Sequence, residues 1–227
     1  MDVAGPDRLS VLQHFSKEEL AYRELRAAIL ANVLKPGERL IPQQLASRFN
    51  VSTMPVRQAL MRLEADRLVL RLPNRGLLVS PLSIKEVESI YTLRVVLEGL
   101  AAGLATPHLS AQDLDALAAM VDEMERLVSE RSIEALVEQN TKFHFTIYRA
   151  AGNDHLYDIL QHLWDLSTRY RNMYYHEPGI PESTLREHRG IMDALRQRDA
   201  AKVEELVRSD MEETARVLLA LVRGKID

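Results

Sequence analysis

The 227-residue chain contains no cysteine. That excludes structural disulfides and thiolate metal sites, and a reducing compartment is the simplest setting. No apolar run approaches the ~20 residues of a membrane-spanning helix. The polar start, with Asp2, Asp7, Arg8 and Lys17, lacks the apolar centre of a secretory signal. A cytoplasmic protein with no membrane partner is expected. Internal repeats and low-complexity segments are also missing, so a solenoid is not in view. Nor is there a net positive charge: the balance is −4. That total conceals an asymmetry. Residues 1–80 carry 12 Lys+Arg against 8 Asp+Glu, and the remainder carries 17 against 25. One basic and one acidic part fit a first domain that meets phosphate and a second that does not.

What is present centres on residues 45–63, LASRFNVSTMPVRQALMRL. Asn50 tolerates a left-handed backbone and marks a turn between two short helices. Ser52 is placed to cap the second helix, and Pro55 sits in its first turn, where a missing N–H costs nothing. Leu45, Ala46, Phe49, Val51, Val56, Leu60 and Leu63 form the expected small core. Thr53, Met54, Arg57, Gln58 and Arg62 are left on the outer face of the second helix, suited to a DNA major groove. Two short β-runs, Leu68-Val69-Leu70 and Leu77-Leu78-Val79, flank a turn with Asn74-Arg75-Gly76 and read as a hairpin. Beside a recognition helix, such a hairpin is a wing. A solvated helical hairpin is the plain alternative for the helix pair alone.

The features Leu34-x-Pro36-Gly37-x-x-Leu40, Leu45-Ala46, Val51-Ser52-x-x-Pro55-Val56-Arg57-x-Ala59-Leu60 and Arg75-Gly76-x-x-Val79 extend over about 60 residues. This run resembles the DNA-binding domain of GntR-family transcriptional regulators. The resemblance implies DNA contacts from Gln43, Thr53, Met54, Arg57, Arg62, Arg75 and Gly76. Thr53 stands where many relatives carry arginine, and Gln43 where one branch does, so the operator sequence is expected to depart from the common one.

Beyond residue 81 the pattern is helical throughout. Residues 1–16 read as a loose arm, residues 1–81 as a winged helix-turn-helix domain, and residues 82–227 as an antiparallel six-helix bundle; the fold class is mainly α. Ser83 with Glu86 and Ser110 with Asp113 are capping-box pairs. Ser132 opens the next helix, and Gly152-Asn153 stops it. Stripes such as Leu156, Ile159, Leu160, Leu163 and Trp164 show the helical period. Short loops favour antiparallel neighbours.

Two segments of this half, Tyr91-Thr92-Leu93-Arg94-Val95-Val96-Leu97-Glu98 and Glu187-His188 with Asp199-Ala200-Ala201, resemble the ligand-sensing FCD domain of the FadR branch of that family. The resemblance implies one divalent transition metal ion inside the bundle, held on Asn140, His144, His188 and Asp210. Asn140 and His144, four apart, share a helix face. The set departs from the family pattern twice: Asn140 stands for an aspartate and Asp210 for a histidine. One carboxylate is kept, moved between helices. Imidazole and oxygen ligands suit zinc, nickel, manganese or iron. Arg94 and Arg169 are the candidate effector-binding residues, because a guanidinium takes a carboxylate bidentately. For Arg94 a helix salt bridge to Glu98 is the alternative, and for the histidines a hydrogen-bonded place in the core.

The function implied is a DNA-binding transcriptional regulator, a repressor, acting as a homodimer on operator DNA with two half-sites. A small organic-acid effector in the bundle would change the spacing of the two winged helices. Alternatives are a metal-responsive regulator, or a metal-free sensor of a larger ligand such as an acyl thioester. A metal-dependent hydrolase or lyase lacks a motif-placed general base, and no enzyme activity is expected; Glu187 should point away from His188.

Overall fold

The structure, a computed structural model, describes residues 16–31, 33–73 and 76–226, with side chains up to residue 224. Arg75 and all but the last residue of the expected loose arm lie outside the described residues. The chain divides into two compact units, which change between Ser80 and Pro81, with residues 30–32 grouped with the second.

In the first unit, α1 (Lys17–Leu30) buries Ala21, Leu25 and Ile29, four residues apart and therefore on one stripe. Gly37, at φ 79°, turns the chain into β1 (Arg39–Leu40). α2 (Pro42–Arg48) starts on a proline, whose absent N–H needs no partner there. Asn50 at φ 51° makes the expected left-handed turn into α3 (Thr53–Ala65). Leu45, Ala46, Val56, Leu60 and Leu63 are buried as expected, while Phe49 and Val51 are only half-buried. Ser52 occupies the cap position with an extended backbone, but its side chain makes no capping hydrogen bond, which corrects the sequence expectation.

The wing is β2 (Val69–Leu72) paired antiparallel with β3 (Gly76–Val79), with Val69 opposite Val79 and Leu72 opposite Gly76. β1 pairs with the other side of β3, giving the order β1-β3-β2. That third strand was not expected, because two residues carry no readable period. Leu77 and Val79 alternate into the core.

The second unit is α4 (Ile84–Ala105), α5 (Ala111–Ser129), α6 (Ile133–Ala150), α7 (Asp154–Tyr175), α8 (Ile180–Arg196) and α9 (Ala200–Ile226). Winged helix plus six-helix bundle is the architecture expected. The Ser110–Asp113 capping box is complete. At α4 only half of it forms: the Ser83 hydroxyl accepts from the Glu86 N–H, and the Glu86 carboxylate is taken by Arg169 and Tyr170 instead. Ser132 makes no side-chain cap, whereas Asn153 caps α7 by accepting from the Leu156 N–H at 3.1 Å.

α4 lies close along α9. A Cβ at Gly99 would stand 3.2 Å from the Glu204 carbonyl oxygen, and one at Gly103 3.3 Å from the Glu204 Cβ. The core between the helices is built from Leu117, Met124, Leu136, Phe143, Ile147, Leu160, Ile191, Leu195, Val203, Val207 and Leu218, each aliphatic side chain contributing about 1.5–3 kcal/mol on burial. No described helix is long and apolar enough to cross a membrane.

Candidate functional site

Inside the bundle, α6 supplies Asn140 and His144, α8 supplies His188, and α9 supplies Asp210; all four are buried. One ligand atom from each of His144, His188 and Asp210 lies within 4.8 Å of the others. These three are the one such group of histidine and carboxylate side chains among the described residues.

The hydrogen-bond network assigns the tautomers. His188 Nδ1 stands 2.8 Å from the Thr184 carbonyl oxygen, so Nδ1 carries the proton and donates it. His188 Nε2 is then a bare lone pair, buried and without a partner. His144 Nδ1 stands 3.0 Å from the Tyr148 hydroxyl, and that hydroxyl donates to Glu98 Oε2 at 2.6 Å. The hydroxyl proton being spent, Tyr148 accepts from His144 Nδ1–H. His144 Nε2 therefore carries a lone pair, 3.7 Å from Asp210 Oδ2 and too far for a hydrogen bond. Asn140 Oδ1 is a second buried acceptor without a donor.

An unpartnered buried acceptor costs about 1–3 kcal/mol, and His188 Nε2 is such an acceptor with a ligand atom each of His144 and Asp210 within 4.8 Å. That donor set fits a divalent cation. The partners behind the histidines are of the kind that fix ligand tautomer and orientation.

Protonation agrees with this arrangement. Burial, reinforced by His188, Arg94 and Arg171, holds the His144 imidazole well below its usual range. Burial pushes the His188 imidazole down to about 4. Both rings are thus neutral and ready to ligate at pH 7. With His144 neutral, its contact with Asp210 is not an ion pair. Burial, with the Glu187 and Glu98 carboxylates nearby, pushes the Asp210 carboxyl well above the usual carboxylate range. A cation at this point would reverse that direction, since it favours the ionised carboxylate. Glu187, expected to point away from His188, lies against Asp210 and is itself raised by burial.

The cavity beside these atoms is lined by Arg94, Trp164, Arg171 and Tyr174, among others, and offers only about 10 Å³ to a water-sized occupant. That is room for roughly one small particle. Arg94 resolves toward the salt bridge: its Nε donates to Glu98 at 2.5 Å, and both side chains are buried. Glu98 also accepts from Trp164 Nε1 at 2.9 Å and from Tyr148. Arg94 still lines the cavity, but its charge is already answered. Arg169 does not line it; its guanidinium bonds to Glu86 and to the Tyr170 hydroxyl.

Arg171, which sequence reasoning missed, does line the cavity. The missed signal was angular. Trp164, Arg171, Tyr174 and Tyr175 fall at spacings of seven, ten and eleven along α7 and share a face, whereas a residue five on from Trp164 faces elsewhere.

On the first unit, Gln43, Met54, Arg57, Gln58 and Gly76 are exposed and Thr53 is half-exposed. Arg57 makes no ion pair among the described residues. Arg62 is engaged differently from expectation: it donates to Glu19 at 2.7 Å and lies 4.0 Å over the Tyr22 ring, bracing α3 to α1.

Comparison with known proteins accords with both halves. The family described as "Bacterial regulatory proteins, gntR family" matches residues 17–79, and the FCD domain matches residues 89–213. The chain is similar to the uncharacterized HTH-type transcriptional regulator YdhC of Bacillus subtilis, 33% identical over 184 residues, covering 80% of this chain and 82% of that one. It is 27% identical over 192 residues to the HTH-type transcriptional repressor RspR of Escherichia coli, covering 85% and 84%. Among solved structures, E. coli McbR/YncC superposes with a TM-score of 0.72 at 22% identity, over 94% of this chain and 100% of that one, a likeness of fold alone. The chain therefore belongs to the gntR family of bacterial transcriptional regulators, with an FCD domain as its helical unit, and is not an enzyme.

Proposed function

We propose that this regulator is a homodimeric, cytoplasmic repressor whose helical unit holds one divalent transition metal ion on Asn140, His144, His188 and Asp210. A small organic acid completes the site and alters operator affinity. The gathering of ligand atoms from His144, His188 and Asp210 within 4.8 Å of one another, with His188 Nε2 and Asn140 Oδ1 buried and unpartnered, carries this reading. When bound, the ion supplies a Lewis-acidic anchor for a carboxylate. The chain's own contribution is to hold the rings in one tautomer through Thr184 and Tyr148.

The cavity admits a single ion-sized or water-sized particle but not a multi-atom acid. Acid binding therefore requires its walls to move, and a wall that must move to admit a ligand is what couples occupancy to conformation.

On the DNA side, an exposed recognition-helix face with Arg57, Gln43 and Thr53, and Gly76 at the wing, supports contact with a major groove. Arg75 belongs to that proposal from sequence alone. Dimerisation through the helical half is supported by α4, where Leu93, Val96, Leu100 and Leu104 are exposed at helical spacing on one side. Two copies would read two half-sites, giving specificity that one small domain lacks.

The test is selection of genomic fragments by the zinc-loaded protein, followed by footprinting with and without a panel of short carboxylic acids. A two-fold-related pair of protected half-sites, released by at least one acid, is expected. Protection of a single site, or indifference to every acid, would overturn the proposal.

A further inference from the structure

Four charged side chains are buried around the cavity: Arg94, Glu98, Arg171 and Asp210. Arg94 is matched by Glu98 at 2.5 Å. Asp210 belongs to the proposed metal site. Arg171 is matched by no carboxylate among the described residues. Its Nε has no hydrogen-bond partner, and its two terminal nitrogens reach only neutral hydroxyls, Thr141 and Thr168, each at 3.3 Å. Its remaining contact is the face of Trp164, 4.0 Å from the ring centroid. Burial and the charge of Arg94 pull the Arg171 guanidinium down to about 10, which leaves it cationic at neutral pH.

A buried, unpaired guanidinium is costly unless something answers its charge. A fork of N–H donors aimed into a cavity is matched best by a carboxylate. Building on the metal-and-acid site proposed above, we infer that Arg171 receives a second anionic group of the effector, so that the natural ligand is a short dianionic acid rather than a monocarboxylate. The charges agree. A divalent ion with Asp210 as its single anionic ligand keeps one positive charge unanswered, and Arg171 keeps another. One carboxylate for each makes the buried site neutral. Trp164, stacked on Arg171 and 5.6 Å from the His144 ring, lies between the two anchors and would sense both.

Trp164 is the chain's one tryptophan, so its fluorescence reports binding directly. The zinc-loaded full chain is titrated with propionate, butyrate and valerate, and with malonate, succinate and glutarate, with protein-bound zinc measured afterwards. At least one diacid should bind about tenfold or more tightly than its monoacid of equal length. Arg171→Gln should abolish that preference and leave the monoacid response in place. Arg171→Lys, which keeps the stem and the charge but not the fork, should weaken diacids only and serves if Arg171→Gln does not fold. Equal binding of mono- and diacids by the wild-type protein, or a preference that survives in Arg171→Gln, overturns the inference while leaving the metal-and-acid site standing. Failure of the wild-type chain to retain zinc or to respond to any acid overturns both.

Discussion

The two units use their polar residues in opposite ways. The DNA-binding unit has an apolar interior of Leu45, Val56, Leu60 and Leu63 and keeps Arg57, Gln43 and Met54 outside. The helical unit buries Arg94, Glu98, Arg171, His144, His188 and Asp210 together. Folding and recognition are therefore separable in the first unit and entangled in the second. An exposed arginine leaves water only when DNA arrives, whereas a buried one must be answered by a partner as soon as the chain folds. Glu98 shows the entanglement: one carboxylate fixes Arg94, orients Tyr148 and through it His144, and holds the Trp164 indole.

Breaking that contrast should give effects of very different size. Glu98→Ala should destabilise the fold most, by about 3–5 kcal/mol, because it strands a buried guanidinium and frees the tyrosine behind His144. Denaturant unfolding checks this, and a change below 1 kcal/mol would mean that the Glu98 network is not structural.

The pH profile comes next. His188 is lowered to about 4 from a model-compound value of 6.5. Its neutral burial thus contributes stability that is fully present above pH 6.5 and lost as pH falls toward 4. In metal-free protein, the stability difference between wild type and His188→Gln should shrink by on the order of 3 kcal/mol across that window. Taking the difference removes the opposing effect of Asp210, whose raised pKa favours the folded state at low pH. A flat difference would show that His188 is not buried neutral. Competition from histidine protonation should accordingly set in at lower pH than the unperturbed ~6.5 suggests.

In the DNA-binding unit the effects should separate. Arg57→Ala should weaken operator binding by roughly 1–3 kcal/mol if it pairs with a base, and should change stability by no more than about 0.5 kcal/mol. Arg62→Ala should do the reverse and do little: a loss of stability of at most about 1 kcal/mol, since its bond to Glu19 is solvent-exposed, with operator affinity unchanged. Gel-shift and urea titrations of both variants settle the assignment, and a large affinity loss in Arg62→Ala would restore it to the contact surface.

The same contrast explains what could be read from the sequence. Local rules held where the partner is local: Asn50 at its left-handed turn, the Ser110–Asp113 box, and the pairing of Asn140 with His144 one turn apart. They failed where a distant side chain competes. Glu86 was drawn from its cap to Arg169 and Tyr170, and Arg62 to Glu19, whereas the local alternative for Arg94, its salt bridge to Glu98 four residues on, is the one that forms. The choice of Arg169 over Arg171 was a failure of angle, since two residues along a helix turn a side chain to the other side. The contact of Glu187 with Asp210 of the next helix was not legible either, because it joins two helices.

The most direct measurement is metal content. Zinc-reconstituted wild-type protein, dialysed at neutral pH, should carry about one ion per chain. His188→Ala should lose it, and Asn140→Asp should hold it more tightly, because an anionic ligand replaces a neutral one. Retention of no zinc, nickel or manganese by the wild-type chain would contradict the account, and the unpartnered Nε2 of His188 would then need another partner.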